Sequence, residues 1–149
     1  MTALRVGDVI PGRLTGESAG GFVVGLPEGT AFLPDGPDAR RLWEGGEEPD
    51  RGRAFFQVVE AGTADRPAVL APWTAPFDHF SIGEVRWGIV RATLSERVNF
   101  VDLGGIDGLL RLDLSSGPKL LTPGQFIRVL VLDIDRGSER ITLVLSREA

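Results

Sequence analysis

Cysteine and tyrosine are absent from the 149 residues, and histidine, methionine and lysine occur once each. Without cysteine there is no disulfide, no thiolate nucleophile and no cysteine-ligated zinc. With His79 as the single imidazole, multi-histidine metal sites are excluded, and a Ser-His-Asp triad would have to be built on it alone. Its neighbour Asp78 invites an acid-base pair, but no nucleophile accompanies them, so His79 reads as a structural residue. No apolar run reaches the roughly 18 residues of a membrane-spanning helix. The opening residues Met1 to Asp8 lack the apolar stretch of a signal peptide. A soluble, cytoplasmic protein is expected.

What is present points to short strands and many turns. There are 20 glycines and 10 prolines, residues that punctuate strands. The net charge is −5, which argues against a strong non-specific hold on nucleic acid. Residues 1–71 hold seven basic and eleven acidic side chains, and residues 72–149 hold nine and ten. The second half is therefore the better candidate for an anionic partner. Its positive charge is almost all arginine, which forks onto phosphate and stacks on flat rings better than lysine does.

The chain repeats itself. Val6-Gly7-Asp8-Val9 with Gly12 pairs with Ile82-Gly83-Glu84-Val85 with Gly88. Gly21 to Leu26 pairs with Asn99 to Gly104, setting Phe22 against Phe100. Arg66 to Leu70 pairs with Arg140 to Val144, setting Arg66 against Arg140. Two copies of one unit predict residues 1–71 and 81–149 as separate all-β domains. Strands are expected over 8–15, 21–26, 30–33, 53–60 and 68–71, then over 84–94, 99–103, 107–111, 126–134 and 140–146. A helical turn is expected at 112–115. Segment 35–52, rich in Asp, Glu, Gly and Pro, reads as a long, acidic, mobile connection with a possible helical turn at Arg40 to Trp43. Segment 72–80 holds two prolines and three aromatics and reads as a stiff strap packed on one or both units.

The second unit resembles the S1 RNA-binding domain. The residues that carry the resemblance are Gly83-Glu84-Val85, Gly88-Ile89-Val90, the run Phe100 to Leu110, Gly124, Val131 to Asp135 and Arg140 to Leu143. The first unit is similar through Val6 to Val9, Gly12, Gly21-Phe22-Val23 and Ala31-Phe32-Leu33-Pro34. The resemblance implies two tandem five-stranded OB-fold barrels of the S1 type. It further implies that strands two and three of a barrel present a nucleic-acid-binding face, where aromatics stack bases and basic residues meet phosphates.

On that reading Phe100 is a stacking platform or a core residue, and Phe22 is its weaker counterpart. The aromatic-glycine pair usual in the family is replaced by Arg97-Val98 and by Ala19-Gly20. Arg97 retains a guanidinium that can stack or bind phosphate. Arg111 follows Gly108-Leu109-Leu110 and is either a phosphate contact or a solvated arginine, with Pro34 in the matching place. Arg140 flanks the last hairpin opposite Asp135, as an RNA contact or an ion pair, with Arg66 as its first-unit equivalent. Arg91 and Arg128 complete the candidate cluster. Trp87 either extends the platform or packs on the strap aromatics Trp73, Phe77 and Phe80. The glycine pairs are not phosphate loops, because neither has the Walker lysine or opens a helix.

The expected function is non-catalytic: holding single-stranded RNA with little sequence preference, in connection with the ribosome or RNA processing. No cofactor and no metal are expected. The alternative is a protein-interaction module that keeps the fold and has lost its RNA contacts, docking on a ribosome or polymerase or dimerising. A fold does not by itself give a function.

Overall fold

Side chains that alternate between core and solvent build each strand, as the two-residue period of a pleated strand requires. In β9, Phe126–Asp135, the interior takes Ile127, Val129 and Val131 and solvent takes Arg128. In β10, Arg140–Leu145, the interior takes Ile141 and Leu143. The structure, a computed structural model, describes residues 4–45, 51–75, 77–95, 97–112 and 121–146. The remaining strands are β1 (Val9–Ser18), β2 (Gly21–Gly25), β3 (Thr30–Pro34), β4 (Arg53–Glu60), β5 (Val69–Pro72), β6 (Val85–Thr93), β7 (Val98–Asp102) and β8 (Asp107–Arg111).

The chain forms two units, Met1–Thr74 and Ala75–Ala149. Each is a closed five-stranded barrel. The first closes in the order β1-β2-β3-β5-β4 and the second in the equivalent order β6-β7-β8-β10-β9. All neighbours are antiparallel except β3 with β5 and β8 with β10, which run parallel. Closure removes the free strand edges that would otherwise recruit other chains.

The two barrels are built rung for rung. Leu14↔Val24 in the first corresponds to Val90↔Val101 in the second, and both first strands carry a bulge directly after it. Val58↔Leu70 corresponds to Val131↔Leu143. Gly12 and Gly88 occupy one equivalent place: a methyl group at either would strike Val24 or Val101, so the tight wall there requires glycine. Gly7 and Gly83 open the barrels with φ of 95° and 90°, a left-handed turn that glycine adopts without strain. Their N–H groups donate to Val58 O and Val131 O, each at 2.8 Å.

Of segment 35–52, residues 46–50 lie outside the described residues, and the helical turn expected at Arg40 to Trp43 belongs to a longer helix. Pro37–Glu44 is an α-helix, α1, with proline in its first turn and Asp38 beside it. Proline is pre-set for a helix start, and an acid there complements the helix dipole. Ala39 is buried, and Trp43 packs on Phe22 with ring centroids 5.5 Å apart. The Trp43 indole N–H donates to Glu17 Oε1 at 3.0 Å. The expected turn is the second half of this helix, whose apolar side docks on the barrel. The expected helical turn at 112–115 lies outside the described residues except for Leu112.

In segment 72–80, Trp73 lies 6.4 Å from Phe55, and its backbone N–H donates to Phe55 O at 3.0 Å. Ala75 N–H donates to Gly104 O at 2.9 Å. Phe77–His79 form one 3-10 turn, and Phe80 is fully buried beneath the Arg86 guanidinium, 4.2 Å from its ring. Arg86 is itself largely buried against Glu84 at 3.0 Å, and burial lowers its pKa from the ordinary arginine value.

Candidate nucleic-acid interface

On the second barrel the outer face of β7 and β8 is set by register. Phe100 stands opposite Leu109 on β8 and Ala92 on β6, and Val98 stands opposite Arg111. Facing partners share one side of a sheet. Phe100 is 38% exposed, while its neighbours Asn99 and Val101 point inward and are buried. A ring that size held in the open on a strand is an available stacking surface, flanked by Leu109 and Val98, both half-buried.

The two ends of this face differ in charge. At one end Arg111 is exposed, and the backbone N–H of Leu112 donates to Arg97 O at 2.8 Å, fixing the two arginine-bearing segments side by side. Neither Arg97 nor Arg111 has an ion-pair partner among the described residues. At the other end Arg91 Nη1 is held by Asp107 Oδ2 at 2.6 Å. Asp102 lies there too, its Oδ1 accepting the N–H groups of Gly104 (2.9 Å) and Gly105 (2.8 Å). Burial raises the Asp102 pKa above the usual carboxylate value despite those bonds.

Arg140 follows the same hairpin logic. It faces Asp135 across the β9–β10 turn. Asp135 is committed to that turn: hydrogen bonds from the Ser138 side chain and then its backbone hold the carboxyl below its usual value, with Gly137 N–H at 3.0 Å adding to them. Arg140 is exposed, one residue before the Ile141↔Gly108 rung, and so borders β8 at its acidic end. Arg128 is elsewhere. It lies on the β6–β9 seam with its guanidinium 4.4 Å from the Trp87 ring, so that ring is occupied by an arginine. The expected cluster thus divides: Phe100, Arg97 and Arg111 are brought together, Arg91 and Arg140 flank the acidic end, and Arg128 is on another seam.

Two first-barrel expectations are corrected. Phe22 is fully buried and cannot stack a base: Trp43 lies against its ring, and Arg40 caps it at 5.1 Å. The register explains why. Phe22↔Leu33 is the rung equivalent to Asn99↔Leu110, and Val23↔Phe32 is equivalent to Phe100↔Leu109. The counterpart of Phe100 is therefore Val23, and a one-residue slip turns every side chain to the other face. The same slip affects Arg66. Leu70 matches Leu143, which sets Pro67, not Arg66, against Arg140. Arg66 instead sits in a turn whose backbone N–H donates to Thr63 Oγ1 at 3.2 Å.

Sequence reasoning missed Asn99. It is 1% exposed and its Nδ2 has no hydrogen-bond partner among the described residues. The aligned copies set it against Gly21, and only the ladder register sets it against Phe22, so the sequence carried no signal for it.

Two closed five-stranded barrels in this strand order, with an exposed aromatic and two arginines on strands two and three, define tandem OB-fold barrels of the S1 type. The chain resembles the repeats of bacterial ribosomal protein S1. It is 28% identical over 99% of its length to small ribosomal subunit protein bS1 of Coxiella burnetii, covering 30% of that protein. It is 30% identical over 92% of its length to the bS1 of Leuconostoc lactis, covering 36%. The chain thus spans about a third of the relatives it matches. A solved multidomain protein with nucleic acid binding domains from Streptococcus pneumoniae covers the whole chain at 16% identity, with a TM-score of 0.37 and 55% of that protein covered. No family model matches. No described helix is long and apolar enough to cross a membrane.

Proposed function

We propose that the second barrel holds single-stranded RNA on its β7–β8 face, without catalysis and with little sequence preference. The observation that supports this best is Phe100, exposed at the centre of the face with Arg97 and Arg111 at its end. A base stacks on the Phe100 ring, which accepts any base because every base has a flat face. Arg97 and Arg111 receive the adjoining phosphates, which set position and not sequence. Arg140 and Arg91 border the path at the acidic end, where carboxylates repel the backbone and direct the strand towards Arg111. A connection to the ribosome rests on the names of the relatives, which are small ribosomal subunit proteins.

The test is fluorescence anisotropy of labelled single-stranded RNA with the full chain. Micromolar binding that weakens in Phe100→Ala and in Arg111→Ala supports the face. Absence of binding at tens of micromolar in low salt removes this reading and leaves protein docking as the use of the fold.

A further inference from the structure

Six large apolar side chains stand exposed among the described residues, and four of them fall into two matched pairs: Val6 (66%) with Val59 (49%), and Ile82 (63%) with Leu132 (52%). The backbone makes the pairs. In each barrel the glycine turn before the first strand donates an N–H to the fourth strand, Gly7 to Val58 O and Gly83 to Val131 O. Val6 and Val59 each lie one residue from the first bond, and Ile82 and Leu132 one residue from the second. Val59 and Leu132 are both bulge residues. The ladder steps from Val58↔Leu70 to Glu60↔Val69, and from Val131↔Leu143 to Asp133↔Thr142, passing each of them over. A bulge re-aims a side chain, and here it turns an aliphatic outward next to a buried valine. The residue that follows is an exposed carboxylate in both barrels, Glu60 and Asp133. Neither carboxylate has an ion-pair partner among the described residues.

The fold does not require this arrangement. The bulges of β1 and β6 pass over Thr15 and Arg91, both exposed and polar. A bulge in these barrels therefore does not need an aliphatic. Elsewhere the two surfaces have diverged: Val23 stands in the place of Phe100, and Pro34 in that of Arg111. Single exposed aliphatics are ordinary on a protein surface. Here two aliphatics and an acid recur at one place in both copies, and an exposed aliphatic gains nothing from the core.

Charge selects the occupant. An RNA backbone would meet Glu60 or Asp133 and be repelled. A second copy of this chain would set one of these carboxylates against another, whichever two patches met, and like charges across an interface are costly. A polypeptide segment with an apolar side chain beside a lysine or arginine satisfies both parts of the patch.

We infer that each barrel docks a short protein segment of this kind. Its apolar side chain rests on Val6 and Val59, or on Ile82 and Leu132, and its cation meets Glu60 or Asp133. Two aliphatics cover far less than the roughly 1,200–2,000 Å² of a stable complex, so one patch alone holds weakly. The patch is independent of the RNA reading of the β7–β8 face.

The test follows amide proton–nitrogen NMR signals of the isotope-labelled full chain. The probes are a capped peptide of alternating leucine and lysine, and its leucine–glutamate counterpart. The lysine peptide should shift the amides of Val6, Val59, Ile82 and Leu132 saturably at millimolar concentration, and the glutamate peptide should not. Leu132→Ser should abolish the shifts at Ile82 and leave those at Val6, and Val59→Ser should do the reverse. Both side chains are exposed, so both variants keep the fold, and their spectra verify it. Glu60→Gln should weaken binding at Val6 several-fold. Absence of shifts at both patches would overturn the proposal, as would equal shifts with the two peptides. Shifts of these amides by an oligouridylate would assign the patch to RNA and overturn it. Shifts that grow with protein concentration alone and vanish in Leu132→Ser would assign it to self-association and overturn it too.

Discussion

The Phe100↔Leu109 rung of the second barrel and the equivalent Val23↔Phe32 rung of the first each carry one ring, on β7 in one barrel and on β3 in the other. Phe100→Ala should cost about 1–3 kcal/mol of RNA affinity, the usual loss for one stacked base. Val23→Ala should leave affinity unchanged, because a half-buried valine offers no flat surface; anisotropy on both variants checks this. One residue earlier, the buried Asn99 amide lacks a partner for Nδ2 among the described residues, and an unsatisfied buried donor costs about 1–3 kcal/mol. Asn99→Leu keeps the volume and removes that donor, so its melting temperature should rise; a fall would show that the amide has a partner in solution. Asp102 gives a pH-dependent test. Its folded pKa is raised, chiefly by burial, so the folded protein holds this proton more tightly than the unfolded chain. The group's contribution to stability is therefore greatest at low pH and declines as pH rises from the unfolded value of about 3.9 through the folded pKa. Asp102→Asn keeps an acceptor for Gly104 and Gly105 and removes the buried charge. It should melt higher than the parent at pH 7, and the gap should shrink on acidification, as thermal melts across pH would reveal.

At the scale of the element, most strands were legible because the glycine-acid-valine start, the glycine turns and the alternating β9 run are local signals. What was not legible is register. The pairs Gly21-Phe22 and Asn99-Phe100 look alike in sequence, yet the ladders set Phe22 beside Asn99's place and Val23 beside that of Phe100. Nothing local distinguishes the two alignments; only the pairing with β1 and β3 does. Helix α1 was legible in part: the turn at Arg40 to Trp43 could be read, but its start at Pro37 could not. Its apolar residues Ala39, Leu42 and Trp43 follow helical spacing, but a run of charge and proline masked the start, and docking on the barrel supplies the stability that composition does not suggest. Wall geometry also belongs to this scale. Gly88 faces Val101 too closely for any side chain. Gly88→Ala should force the β6–β7 wall apart and destabilise by roughly 1–3 kcal/mol, measured by urea melts, whereas Gly16→Ala, with open space around it, should not.

For the whole molecule the proposed RNA hold has to be reconciled with a net charge of −5. The charge is unevenly placed: the first 71 residues carry most of the acid excess, while Arg97 and Arg111 on the second barrel have no ion-pair partner among the described residues. Binding should therefore depend on a few placed arginines and not on a general field. Each phosphate contact to a single strand contributes about −0.7 to the slope of log K against log salt. Arg97 and Arg111 alone give a slope of about −1.4. Anisotropy titrations from low to moderate salt measure it, and Arg111→Ala should lower it by one contact. A slope much steeper than about −3 would show that the backbone follows further arginines, such as Arg140 and Arg91, around the second barrel. A slope near zero would mean that stacking on Phe100 carries the affinity and that the arginines serve the fold.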